Sequence, residues 1–230
     1  MENNQITNKW FELLETKLED VSNKNEVWNH CLLVLAITKD YSNTILQLIK
    51  QNKNIQAKVL LRSFAEISIK TCWCIKDGKG DIESYYDKNQ RLSKSSLQEQ
   101  IKRIKRAYEC FNDPLIKANL QMLETDLFKL SNVKCAPDDM GLCKELFNNN
   151  AQLYYHILFG ELHQFVHADL AWLQKLNISE NGEIYEDEND AFLNRKLCIA
   201  CVYLILDYIY RYYNFDFSDI KSQYEKIKDS

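Results

Sequence analysis

Apolar and polar positions alternate along this chain with helical spacing, interrupted by short polar clusters. From about Asn8 to Val21, Trp10, Phe11, Leu13, Leu14 and Leu18 recur among charges, which predicts an amphipathic first helix. A second helix is predicted from Asn25 to about Lys50, and the polar cluster Gln51-Asn52-Lys53-Asn54 ends it. The next stretch, Ile55 to Ile75, reads IQAKVLLRSFAEISIKTCWCI and is apolar almost all the way round. Such a helix belongs at the centre of its domain. Asp77-Gly78-Lys79-Gly80 is its stop signal.

Asp81 to Cys110 carries sparse apolar positions and is predicted to be a long helix with one solvated face. Asn112-Asp113-Pro114 reads as a helix start, with Asp at the cap and Pro at the first helical position, for a helix running to about Leu130. Ser131 to Gly141 reads as a loop and Leu142 to Phe147 as a short helix. The run Asn148–Asn150 follows as a turn and cap. Ala151 to Leu176 is then predicted as one helix. Within 177–186, Asn181-Gly182 between Ile178 and Ile184 suits the turn of a small hairpin. Ala191 to Tyr213 and Ser218 to Lys228 are the last helices predicted. The pattern predicts an all-α fold over residues 1–230. Its form would be a single-domain antiparallel bundle of about seven to nine helices.

Composition strengthens this reading. Five glycines and two prolines leave little turn chemistry for sheets or long loops. A net charge of −4 supplies no global field toward nucleic acid or anionic lipid. The sequence MENNQITNKWFELLE lacks the basic-then-apolar build of a signal peptide. The longest apolar run, Leu197 to Leu206, is about half the ~20 residues that span a bilayer. The expected partners therefore include no membrane, and the expected location is cytoplasmic. Of the eight cysteines, Cys31, Cys72, Cys74, Cys198 and Cys201 lie in apolar helical stretches and are expected to be reduced core residues.

The candidate chemistry gathers on two predicted helices. His156, His163 and His167 fall within about 40° of one another if the second of these helices turns regularly. They form either an ordinary polar face or a histidine-lined groove able to move protons near neutral pH. Asp169 falls in the apolar arc of that helix, between Phe165 and Leu173. A buried carboxylate needs a partner. Arg62, the arginine of the most apolar helix, is the candidate. Arg62 and Glu66 also lie on a four-residue ladder, Lys58–Arg62–Glu66–Lys70, which reads either as a solvent-facing stripe or as a half-buried polar cluster beside Val59, Ile69 and Trp73.

His163 and His167 with Glu66 would make a passable two-histidine, one-carboxylate set. HQFVH lacks the HExxH zinc signature, however, and a nearby arginine would repel a cation, so no metal is assigned. No glycine-rich phosphate loop, Walker sequence, dinucleotide fingerprint or nucleophile elbow occurs, and no small-molecule cofactor is assigned. On the polar fourth helix Lys102, Arg103, Lys105 and Arg106 form a basic cluster. It reads either as a solvated face or as a contact for RNA phosphates. The acidic stretch Glu180 to Asp190 could instead receive it, within one chain or between copies in a homo-oligomer.

Leu60-Leu61-Arg62-Ser63-Phe64-Ala65-Glu66 and Glu161 to Asp169 resemble the two signature helices of a bacterial family of uncharacterised α-helical proteins. That family shows a leucine-arginine-serine turn followed by glutamate, then a tyrosine, then a serine four residues before a histidine. Arg62, Glu66 and His167 match; Tyr154 or Tyr155 supplies the tyrosine; His163 stands where the serine would be. The resemblance spans about Asn25 to Trp172 and implies a fold and a site. A more distant likeness is to the higher eukaryote and prokaryote nucleotide-binding (HEPN-like) domains, many of them metal-independent ribonucleases of toxin and phage-defence systems. Their arginine four to six residues before a histidine is absent here, and Arg62 would have to arrive from another helix.

Two readings follow. In the first, Arg62, Glu66, His167 and Asp169 form a polar network that fixes helix register in an interaction or regulatory module. In the second, Arg62 stabilises phosphate charge while His167, with His163, moves protons and Glu66 orients them.

Overall fold

The computed structural model describes residues 3–77, 81–160, 177–178, 184–185 and 188–228. The helices are α1 (Asn3–Glu19), α2 (Glu26–Lys50), α3 (Asn54–Ile75), α4 (Ile82–Phe111), α5 (Pro114–Lys129), α6 (Asp139–Phe147), α7 (Ala151–Tyr155), α8 (Glu188–Tyr213) and α9 (Ser218–Lys228). A 3₁₀ turn, Asn148–Asn150, precedes α7, and a π-helical segment, His156–Gly160, follows it. The all-α class predicted from the pattern is the class observed.

Helix ends show how so glycine-poor a sequence stops its helices. Asn52, Asn112, Asn148 and Asn214 all take positive φ, each at or just past the end of a helix. Asparagine tolerates that left-handed geometry better than any β-branched residue, and here it serves where glycine usually does. At the other ends, the Asn25 side chain accepts a hydrogen bond from the Trp28 N–H at 3.0 Å. Asp113 caps α5 by accepting from the Leu115 N–H at 2.7 Å, with Pro114 at the first turn.

The chain gathers into two compact units, one made of residues 1–80 and 139–230, the other of 81–138. In the larger unit α2, α3 and α8 pack on one another around Leu35, Ile45, Leu61, Phe64, Ile69, Val202 and Ile205. α3 is the innermost, and Thr71 to Ile75 is an unbroken buried run, as its all-round apolar sequence requires. α1 adds Trp10, Phe11, Leu14 and Leu18 to the core, and the Trp10 indole donates to Gln223 of α9 at 2.9 Å. Cys31, Cys72, Cys74, Cys198 and Cys201 are buried thiols. Burial pushes Cys201 up to about 12, so it stays protonated and inert. Ile178 pairs with Ile184 in a two-strand antiparallel hairpin.

The smaller unit is an antiparallel pair, α4 and α5, with few buried side chains (Tyr85, Lys88, Ile101 and Leu120). Residues after α5 run back along α4, where the Ala136 N–H donates to the Arg91 carbonyl at 3.2 Å and the Lys94 ammonium to the Ser131 carbonyl at 3.0 Å.

Several predicted boundaries move. α1 starts at Asn3 and α8 at Glu188, earlier than predicted, because polar residues extend a helix that packing has already nucleated. The predicted loop 131–141 gives up its last residues to α6, with Asp139 in the first turn, where a carboxylate complements the helix dipole. Ala151 does not open a regular α-helix. The chain passes from 3₁₀ through one α turn into a π turn, so the regular rotation assumed for the histidine stripe fails at His156.

Among the described residues no helix is long and apolar enough to cross a membrane.

Candidate functional site

α3 buries every side except one stripe, on which Arg62, Glu66 and Lys70 succeed one another at four-residue intervals. Helical geometry makes these neighbours. Arg62 is the inner end of the stripe, its side chain 14% exposed, while Glu66 is 39% exposed. The Arg62 guanidinium donates from Nη1 to Glu66 Oε2 at 3.3 Å and from Nη2 to Asp139 Oδ2 at 3.3 Å. Its central carbon lies over the Phe159 ring, 4.4 Å from the ring centre. Glu66 also accepts from the Lys70 ammonium.

Three elements therefore converge on one guanidinium: α3, the first turn of α6 and the π segment. The fork of arginine suits two separate carboxylates in a way a lysine point charge would not. The flat face suits an aromatic ring.

The two carboxylates respond differently. For Glu66, burial pushes the carboxyl up, but the hydrogen bond and charge of Lys70, joined by Arg62, outweigh it and leave it below its ordinary value. For Asp139 burial wins over the opposing pull of Arg62, Glu66 adds its repulsion, and the carboxyl rises.

At the far end of α6 a second polar contact repeats the arrangement. The Trp73 indole donates to Glu145 Oε2 at 2.7 Å and the Lys76 ammonium to the same oxygen at 2.6 Å. α6 is thereby fastened to α3 at both ends. These contacts lie just before the chain leaves for residues 81–138 and just after it returns.

Of the residues singled out in the sequence, Arg62 and Glu66 are in contact. His163, His167 and Asp169 lie outside the described residues. His156 is exposed on the π segment, its ring 5.9 Å from that of Tyr155. The acid that meets Arg62 among the described residues, besides Glu66, is Asp139, which sequence reasoning left in a loop. An Asp two residues after Pro137 and three before Leu142 was the available signal for a helix start. Lys102, Arg103, Lys105 and Arg106 are all exposed on α4; Lys102 meets Glu99 at 2.9 Å and Lys105 meets Glu124 at 2.9 Å.

A family model, described as a family of unknown function (DUF5677), matches residues 29–184, and the chain belongs to that family. No curated protein and no solved structure matches the chain.

Proposed function

We propose that this chain is a helical interaction module in which Arg62 is an architectural pin. The observation that carries the reading is the commitment of its guanidinium: two nitrogens are ion-paired to acids from two helices and its face is stacked on Phe159. An arginine that steadies a transition state needs donors aimed at the space the reacting group will enter. This one is aimed at its own protein. In this reading Asp169 extends the same network.

Arg62→Ala tests the reading through thermal melting. A clear fall in Tm is expected, and an unchanged Tm would reject the architectural role.

The exposure of Lys102, Arg103, Lys105 and Arg106 on one stretch of α4 favours a second reading, in which the module handles RNA. In its strongest form the protein is a metal-independent ribonuclease, a toxin or defence effector. Arg62 would then neutralise phosphate charge, Glu66 would orient a proton, and His163 and His167 would transfer it. Expression toxicity and RNA cleavage that both survive His167→Ala would remove that form. Loss of RNA mobility shift in Arg103→Ala/Arg106→Ala would retain RNA as the partner without catalysis.

A further inference from the structure

The outward stripe of α8 repeats at helical spacing as Ala200, Tyr203, Leu204, Asp207, Tyr208 and Arg211. Every other position from Cys201 to Tyr210 is buried, and this face, with Cys201 at its edge, lines a space. The space is a cleft of about 320 Å³, closed by Phe147 at the end of α6, Tyr154 of α7, Leu158 of the π segment and Tyr224 of α9. It falls at the small end of the range for ligand pockets.

Two stacked aromatic pairs flank it: Phe147 with Tyr154, centroids 4.1 Å apart, and Tyr203 with Tyr224, 3.9 Å apart. Asp207 is the inner charge, its side chain 13% exposed, while its partner Arg211 is 68% exposed. The pair meets at 2.6 Å (Nη2 to Oδ2) and 3.0 Å (Nε to Oδ1), and the guanidinium carbon lies 5.7 Å from the centre of the Tyr208 ring.

We propose that this cleft is a binding site for an organic cation, an alkylguanidinium or alkylammonium group on a slender apolar stem, with Asp207 as counter-ion and Arg211 as a displaceable occupant. Aromatic faces carry negative potential and attract cations, most strongly where water is excluded. A carboxylate set among them completes the recognition of positive charge. Arg211 shows the chemistry at work in miniature: a guanidinium held on the same carboxylate and near the same ring. Its guanidinium lies mostly in solvent, so a second cation reaches the carboxylate by taking its place. An anion would face the aromatic rings and the inner carboxylate together.

The surrounding groups agree with this. Burial raises the Asp207 carboxyl above its ordinary value, while the charges of Arg211 and Lys221 pull it down, so a cation at its side favours the carboxylate form. Burial likewise pushes Tyr203 and Tyr208 up to about 12, leaving neutral phenols. Cys201, which also lines the cleft, is kept a protonated thiol by burial and adds no negative charge. The site is independent of the role of Arg62.

Isothermal titration of the full chain with n-butylguanidinium, n-butylammonium and butyrate tests the proposal. Both cations are expected to bind with Kd of about 1–10 mM and butyrate not to bind. Asp207→Asn is expected to weaken the cations about tenfold, the loss of a charge-assisted contact. Arg211→Gln, its fold checked by circular dichroism and melting, is expected to tighten them several-fold by removing the resident competitor. A capped Gly-Arg-Gly peptide separates sources. Tighter binding than butylguanidinium assigns the cation to a protein side chain, and equal or weaker binding assigns it to a free amine or guanidine. Failure of both cations to bind wild type and Arg211→Gln overturns the proposal, as does butyrate binding as well as they do.

Discussion

Among the described residues of the larger unit, two arginine–carboxylate groupings have opposite orders of burial. At Arg62 the cation is the inner member, 14% exposed, and Glu66 and Asp139 stand outside it. At Asp207 the anion is the inner member and Arg211 lies outside it, mostly in water. The difference separates a fixed group from an exchangeable one. Removing an inner charge strands its partners where solvent cannot fully replace it, whereas an outer charge can swing away and leave its partner to another cation. The same chemistry is therefore a rivet in one place and a latch in the other.

The contrast breaks most visibly at Arg62. Arg62→Ala is expected to destabilise the protein by about 2–3 kcal/mol, roughly 5–10 °C in Tm for a chain of this size. Arg62→Lys should recover less than half of that, since an ammonium cannot span both acids and stack on Phe159. A loss no greater than that of Arg211→Gln would erase the distinction. Glu145→Ala is next, about 1–2 kcal/mol, because the Trp73 indole loses its acceptor inside the structure. Chemical denaturation measures it.

Asp139→Asn sharpens the comparison through pH. Because the folded Asp139 carboxyl lies above its unfolded value, the fold favours its protonated form. That contribution is full below the unfolded pKa, about 3.9, and is lost as pH rises through the folded one. Glu66 acts with the opposite sign: its contribution is present above its unfolded pKa and is lost as pH falls through the lowered folded value. Melting temperatures across the acid range should therefore climb more steeply with pH in Asp139→Asn than in wild type. An unchanged slope would show that Asp139 titrates as it does unfolded. Lys105→Ala, which breaks an exposed pair with Glu124, should change stability by no more than about 0.5 kcal/mol.

Much of the architecture was legible because it is local. The all-round apolar stretch at α3 and the Asp113-Pro114 start of α5 each state a structure within a few residues. Half of the Arg62 cluster was legible for the same reason, Glu66 being one turn away. Asp139 was not, since 77 positions separate it from Arg62 and only tertiary packing brings them together. The π turn at His156–Gly160 has no local signature, HILFG fitting an α-helix equally well. Asp207 directly follows the apolar run Leu197 to Leu206, and the sequence reading assigned it nothing. Its partner four positions on and its tyrosines at 203 and 208 were the unread pattern.

α6 has nine residues, too few to persist as a helix by itself in water. Burial of Leu142 and Cys143 and the ties of Asp139 to Arg62 and of Glu145 to Trp73 hold it on α3, so its stability depends on α3. Its amide protons should exchange with deuterium sooner than those of α3. In Arg62→Ala that early exchange should spread along α6 from Asp139, reporting which tie lets go first.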